Sequence, residues 1–237
     1  MEDVIETTLR AAMIRTVIVD LDGTILDGRF RHYACYRQIL EERGHAPVSL
    51  ESYWRMKLER ADRRQQLAAS GAEAIHEDFL RAWLEQIEQP DLLALDRLQP
   101  GVTEKLREWR DQGVRLVLAT MRRHPERLNE QLARLGLGAL LDHVVVCEHR
   151  LGGIGKAQQV KNAVAGLYPE YCLWIGDTEF DVKAARALGC PVCTVTGGER
   201  TESYLASLSP DFLSPDLKSI DLRRYEDSIA KGTRVLF

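Results

Sequence analysis

Asp20-Leu21-Asp22-Gly23-Thr24 is the segment of this chain with the most chemistry in it. It follows Thr16-Val17-Ile18-Val19, an apolar run that predicts a short buried strand. Two carboxylates, two residues apart, therefore stand at the C-terminal end of a strand, the edge of an open α/β sheet where ligands bind. One can attack phosphorus while the other moves a proton, and a divalent cation can hold both. An Asp-Gly pair also suits a plain turn, so the rest of the chain has to decide between the two.

Three further segments fall at matching places. Leu118-Ala119-Thr120 ends a second predicted strand with a hydroxyl that can bind a phosphate oxygen, or cap a helix. Gly152-Gly153-Ile154-Gly155 predicts a glycine-rich loop, and Lys156 then opens a helix. A lysine in the first turn opposes the helix dipole, which points to another task such as neutralising a phosphate; a solvated surface lysine is the plainer reading, and Lys161 is the alternative candidate. Gly176-Asp177-Thr178-Glu179-Phe180-Asp181 follows the apolar run Cys172-Leu173-Trp174-Ile175 and puts two more acids at a strand tip. Asp177 or Thr178 can cap the helix that follows. Capping does not account for four carboxylates at the ends of two strands. Charges that close repel unless a cation lies among them, and an all-oxygen set suits Mg²⁺.

The elements that must position these residues can be read from periodicity. Residues 33–43 predict a helix ended by Gly44. Ser49 caps a second that runs toward residue 69, and Leu80, Trp83, Leu84 and Ile87 form the apolar stripe of a third. No strand signal appears between about residues 30 and 100. Beyond that, helices over 102–109, 126–135, 156–165 and 182–188 alternate with strands at 115–118, 144–146, 172–175 and 192–195. That alternation predicts an α/β fold, a doubly wound parallel sheet with helices on both faces. The all-helical stretch is then an inserted cap, hinged near residues 28 and 100 and lying over the acidic motif.

Composition narrows the field. The chain has 237 residues, 45% hydrophobic and 29% charged, with a net charge of -4. That is an ordinary globular balance and gives no sign of a nucleic-acid surface. No segment approaches a membrane span. Glu2, Asp3 and Glu6 argue against a targeting peptide, and residues 4–13 predict a short amphipathic helix outside the core. Five scattered cysteines suit a reduced, cytoplasmic protein. The Cys190-Pro191-Val192-Cys193 spacing fits entry to a strand better than a zinc or redox pair.

On these motifs the chain resembles the haloacid dehalogenase-like superfamily. Its four motifs match Asp20-Leu21-Asp22-Gly23-Thr24, Thr120, Lys156, and Gly176-Asp177 with Asp181. An insert between the first and second motifs resembles the phosphoglycolate phosphatase-like and β-phosphoglucomutase-like branch. The resemblance implies a Rossmann-like catalytic core over 14–28 and 100–220, a helical cap over 29–99, and terminal extensions over 1–13 and 221–237. It implies that Asp20 is the nucleophile and Asp22 the general acid and base. Mg²⁺ would be held by Asp20, the Asp22 carbonyl and Asp177, with Asp181 as a further ligand or as the group that orients Lys156. Thr120 and Lys156 would hold the phosphoryl group. Dehalogenase members lack an acid at the position of Asp22, so phosphoryl transfer is favoured.

The expected function is hydrolysis of a small phosphorylated metabolite, with no nucleic-acid or membrane partner and an oligomeric state left open. A phosphomutase of the same family and a non-catalytic phosphate-binding module are the alternatives. The cap bases Arg29, Arg31, Arg55, Lys57, Arg60, Arg63 and Arg64 read mostly as a solvated face. Arg122 and Arg123 are better placed to meet a second anionic group on the substrate. His32 and His124 read as surface residues, and Trp54, Trp83 and Trp109 as core.

Overall fold

The computed structural model describes residues 13–230. Strand β1 (Thr16–Val19) leads to a two-residue strand, β2 (Leu26–Asp27). The helices α1 (Arg29–Glu42), α2 (Leu50–Leu58), α3 (Arg63–Ala68), α4 (His76–Gln86) and α5 (Pro90–Leu93) follow, then a second short strand, β3 (Arg97–Leu98). From α6 (Val102–Asp111) onward the chain alternates: β4 (Arg115–Thr120), α7 (Pro125–Arg134), β5 (His143–Val146), α8 (Gly152–Ala163), β6 (Cys172–Gly176), α9 (Glu179–Leu188) and β7 (Val192–Val195). It ends with α10 (Glu202–Ser207), β8 (Phe212–Ser214) and α11 (Leu222–Ala230).

The sheet order is β5-β4-β1-β6-β7-β8, all parallel. Successive strand residues point to opposite faces. Val17 and Val19 join an apolar layer with Leu106, Trp109, Leu128 and Leu132, whereas Ile18 joins another with Val160, Val182 and Trp174. Both faces are thus covered, which is why these strands read as unbroken apolar runs. The expected doubly wound sheet is what the chain forms. Register then places the motifs: Val19 lies level with Leu118 and with Ile175, so Asp20 emerges beside the ends of β4 and β6.

The helical insert has its own apolar centre, built from Cys35, Tyr36, Ile39, Tyr53, Leu67, Phe79 and Trp83. It joins the sheet through β2 and β3, an antiparallel ribbon pairing Leu26 with Leu98 and Asp27 with Arg97. The ribbon is a strand pair in a region where the sequence predicts none; two residues are too few for a periodicity. The long helix expected from Ser49 is two. Ser49 caps α2 by accepting from Ser52 N, but Arg60 takes a left-handed φ of 64° and Asp62 starts α3 with a reciprocal Asp62–Gln65 capping box. At the far end, Leu222 and Tyr225 of α11 pack in the core and Tyr225 meets Phe212 edge-on at 4.4 Å. The expected helix over 4–13 lies outside the described residues, apart from Met13.

One correction bears on the site. The glycine-rich segment 152–155 is not a loop before a helix but the first turn of α8, and Lys156 sits in the turn after it. A Cβ on Gly153 would collide with Phe180 O and the Lys183 Cβ on α9. The glycine lets α8 and α9 approach closely, and these helices carry Lys156 and Asp181. Gly153→Ala should therefore lower the unfolding free energy by about 1–3 kcal/mol, as overpacking does. Urea denaturation measures this; an unchanged midpoint would show that the two helices can part without cost.

Candidate active site

Asp20 continues β1, donating its backbone N–H to Ile175 O at 2.9 Å. Its side chain meets Lys156 Nζ at 2.5 Å. The same ammonium reaches Asp181 Oδ1 at 2.8 Å. Lys156 is 2% exposed, and two carboxylates supply the charge that such burial requires. Burial works against the Lys156 ammonium, but Asp181 and Asp20 outweigh it and raise its pKa. Lys156 is thus buried beside the Asp20 carboxylate and is not a solvated surface lysine.

Asp177 stands just past β6 with no solvent exposure. Oδ1 accepts from Thr24 Oγ1 at 3.0 Å, and Oδ2 accepts from the Glu199 N–H at 2.7 Å. Gly23 and Gly198 close around it, since a Cβ on either would strike the carboxylate. Gly23 also has a φ of +83°, which favours glycine. Burial, then Glu199, Asp20 and Asp181, push the Asp177 carboxyl well above the usual range. Burial likewise pushes Asp20 up to about 7 against the pull of Lys156.

The ligand oxygens of Asp20, Asp177 and Asp181 all lie within 4.8 Å of one another. Crowded, buried, oxygen-only and short of positive charge, this set fits a divalent cation such as Mg²⁺. Asp181 is the most heavily engaged member. Oδ1 accepts from Lys156 and from Trp174 Nε1 at 3.2 Å, and Oδ2 accepts from Thr178 N and Oγ1 at 3.2 and 2.8 Å. Those contacts suit a group that orients Lys156. Thr178, not Asp177, is the cap of α9.

Asp22 faces away from this cluster. Its Oδ1 accepts from Arg31 Nη2 at 2.5 Å and Arg122 Nη2 at 2.8 Å, and its Oδ2 from Arg122 Nε at 2.6 Å. Burial opposes its charge, yet Arg122 and Arg31 outweigh burial and hold the carboxyl well below the usual range. Thr120, 1% exposed at the end of β4, lines the same cavity of about 860 Å³ as Asp20, Asp22 and Lys156. All the motif residues are therefore brought together.

Other expectations change. Arg122 lines the cavity with Arg123, and Asp22 and buried Asp96 already engage its guanidinium. The Arg123 guanidinium donates to Leu84 O at 2.8 Å. Arg31 is 2% exposed, not part of a solvated face, and Lys57 pairs with Glu199 at 2.7 Å. His32 is largely covered, edge-on to Trp54 and Trp83, and lines the cavity with Trp83. Sequence reading missed Asp96 and Glu199. Asp96 has no local signal; Glu199 follows Gly197-Gly198 at the loop after β7, a glycine pair that could have been noticed. All five cysteines are buried and free, as the sequence suggested. No helix among the described residues is long and apolar enough to cross a membrane.

Metal-free protein should lose stability as pH rises from 5 to 8. Unfolded Asp20 gives up its proton near 3.8 and folded Asp20 near 7, so the folded state holds an extra proton between those values. Asp177, also raised, acts in the same direction; His32, which burial holds well below its usual 6.5, opposes them below that value, while Asp22, held low, is ionised throughout the window and adds no slope. The difference should be about 2 kcal/mol or more, several degrees in Tm. Thermal melts in chelator test it, with Asp177→Asn and saturating Mg²⁺ each expected to flatten the slope. Identical slopes in wild type and Asp177→Asn would mean the carboxylates do not strain one another.

Comparison with known proteins agrees with this geometry. Residues 14–189 match the family model for haloacid dehalogenase-like hydrolases. A phosphoglycolate phosphatase of Pseudomonas putida is 28% identical over 87% of this chain and 78% of its own length. The pyrophosphatase PpaX of Oceanobacillus iheyensis is 21% identical over 87% of this chain and 95% of its own. Among solved structures, a haloacid dehalogenase-like family hydrolase of Streptococcus pneumoniae superposes with a TM-score of 0.70 at 19% identity, covering 86% of this chain and 95% of that one. The chain is a phosphatase enzyme and belongs to the haloacid dehalogenase-like hydrolase family.

Proposed function

We propose that the protein is a Mg²⁺-dependent phosphatase that hydrolyses a small phosphomonoester through an aspartyl-phosphate on Asp20. The observation that carries this reading is the pairing of Asp20 with Lys156 at 2.5 Å inside a cavity that Thr120 and Asp22 also line. An ammonium beside the attacking carboxylate is placed to take up charge on a transferring phosphoryl group. The Thr120 hydroxyl is placed to donate to a phosphoryl oxygen. Asp22, which Arg31 and Arg122 hold ionised in this arrangement, would have to take up a proton before delivering it to the leaving oxygen, and would regain one from the attacking water. Asp181 fixes the Lys156 ammonium.

Asp20, Asp177 and the backbone carbonyl of Asp22 would hold the ion, with Asp181 close behind. When bound, Mg²⁺ neutralises the carboxylate cluster and polarises the phosphoryl oxygens. The names of the relatives make phosphoglycolate and pyrophosphate the first compounds to try. The cationic lining from Lys57, Arg63 and Lys156 suits anionic esters.

Phosphate release from a panel of phosphomonoesters, with Mg²⁺ and with chelator, tests the reading. Asp20→Asn should lower kcat by at least about 10³-fold, as loss of a covalent nucleophile does. Mutant turnover equal to wild type would sink the nucleophile assignment. Activity that appears only when a sugar bisphosphate is supplied would favour the mutase instead.

A further inference from the structure

Glu199 is a buried carboxylate that the proposed chemistry does not use. It stands in the loop after β7 and lines the cavity with Asp20 and Asp22. Its backbone is fixed on both sides: the N–H donates to Asp177 Oδ2 at 2.7 Å, and the carbonyl accepts from Arg200 Nη1 at 2.9 Å. Arg200 is held in turn by Glu179, with Nε on Oε2 at 2.8 Å and Nη2 on Oε1 at 3.1 Å. On the side chain, Lys57 of α2 meets Oε2 at 2.7 Å. Oε1 is buried and receives no hydrogen bond from any described residue. A carboxylate oxygen in that position calls for a donor, because burial has removed it from water.

His32 of α1 faces it. Nε2 lies 3.7 Å from Glu199 Oε1, too far for a hydrogen bond, and Nδ1 is buried with no partner among the described residues. Trp54 and Trp83 meet the imidazole edge-on and set its orientation. Burial, with Lys57 and Arg31 beside it, keeps the ring neutral at pH 7, with one donor and one acceptor. Glu199 Oε1 can only accept, so a substrate group that meets it must donate. A second acid on the substrate brings acceptors alone and meets Glu199 as a like charge. A hydroxyl fits, since its oxygen can lie about 2.8 Å from both atoms across the 3.7 Å gap, donating to Oε1 and sharing a hydrogen bond with the imidazole. The cavity, about 860 Å³, has room for a leaving group well beyond two carbons.

We propose that Glu199, with His32, reads a hydroxyl on the leaving group, so that the substrate is a polyol or sugar phosphate and not the phosphate ester of a short acid. The proposal rests on the reading of the site as a phosphatase and adds its substrate class. Glu199 is a specificity-determining contact and takes no part in phosphoryl transfer. Lys57 engages Oε2 and leaves Oε1 beside His32, while the bonds to Asp177 and Arg200 keep the loop from turning the carboxylate elsewhere. An ester that lacks the hydroxyl buries Oε1 without a donor in the complex, and that penalty is the source of discrimination.

Matched esters test this. For wild type and Glu199→Gln, kcat/KM is measured with Mg²⁺ on p-nitrophenyl phosphate, phosphoglycolate, glycerol phosphate against propyl phosphate, and hexose phosphates against their singly deoxygenated counterparts. Turnover of p-nitrophenyl phosphate needs no recognition of the alcohol and reports on the phosphatase reading by itself. In wild type, a hydroxylated ester should exceed phosphoglycolate, and removal of one hydroxyl should cost it about 10–100-fold, the range of a hydrogen bond to a charged group. In Glu199→Gln the amide oxygen stays with Lys57, which only donates, so an NH₂ group takes the place of Oε1 and the ratio should collapse to a few-fold. Any effect transmitted through Asp177 falls on all esters alike and cancels in the ratio. A wild-type ratio near one for every hydroxyl, or phosphoglycolate as the better substrate, overturns the proposal even where p-nitrophenyl phosphate is hydrolysed. Equal losses for both members of each pair in Glu199→Gln also overturn it and make Glu199 a support of the carboxylate cluster. If that variant does not fold, the wild-type pairs decide alone. Failure to hydrolyse any ester, p-nitrophenyl phosphate included, removes the phosphatase reading and the proposal with it.

Discussion

Like charge, buried, is the constraint around which this molecule is organised. Asp20, Asp177 and Asp181 are 8%, 0% and 0% exposed, with their ligand oxygens within a few ångströms of one another. Carboxylates in that setting repel and are poorly solvated. Lys156 offsets part of the cost, and the chain arranges much around bringing that one ammonium in: α8 carries it, Gly153 lets α8 lie close on α9, and Asp181 of α9 fixes its direction. Neutral donors hold Asp177 from the other side. What these contacts leave unbalanced is the charge that a divalent cation would supply.

The sheet makes such a cluster possible at all. Because β1, β4 and β6 run parallel and in register, three loops leave the same edge at the same height. The two apolar layers of the sheet anchor those loops from below, so the strain at the edge is carried by burial elsewhere. An equivalent set on separate loops would relax apart. Stability and site chemistry oppose each other here, and the parallel sheet is the device that resolves them.

The motif residues were legible in the sequence because each marks an event along the chain: a strand ends, and an acid, hydroxyl or glycine follows where packing asks for none. Strands buried on both faces gave strong apolar signals, and β8, preceded by Pro210 and only three residues long, gave a weak one. The break at Arg60 was missed because residues 49–69 are helical in composition throughout; only the Asp62–Gln65 pair announced it. The Arg31–Asp96 pair, 65 residues apart, had no sequence signature. Its members meet through the β2–β3 ribbon, and pairing at that range belongs to tertiary structure alone. For the same reason Arg122 read as a free base, since the acids that engage it lie 100 and 26 residues away.

Topology also divides the site into two halves with different freedom. Asp20, Thr120, Lys156, Asp177 and Asp181 all stand on core elements tied to one sheet. Asp22 stands one turn before the chain leaves for the insert, and its partners lie at both strands by which the insert departs and returns. The insert reaches the motif residues at two places: at Asp22 through Arg31 and Asp96, and at Asp177 through Lys57, which pairs with Glu199, whose N–H donates to Asp177. Its position in the chain, between the first acid pair and Thr120, is what sets Arg31 and Asp96 beside Asp22.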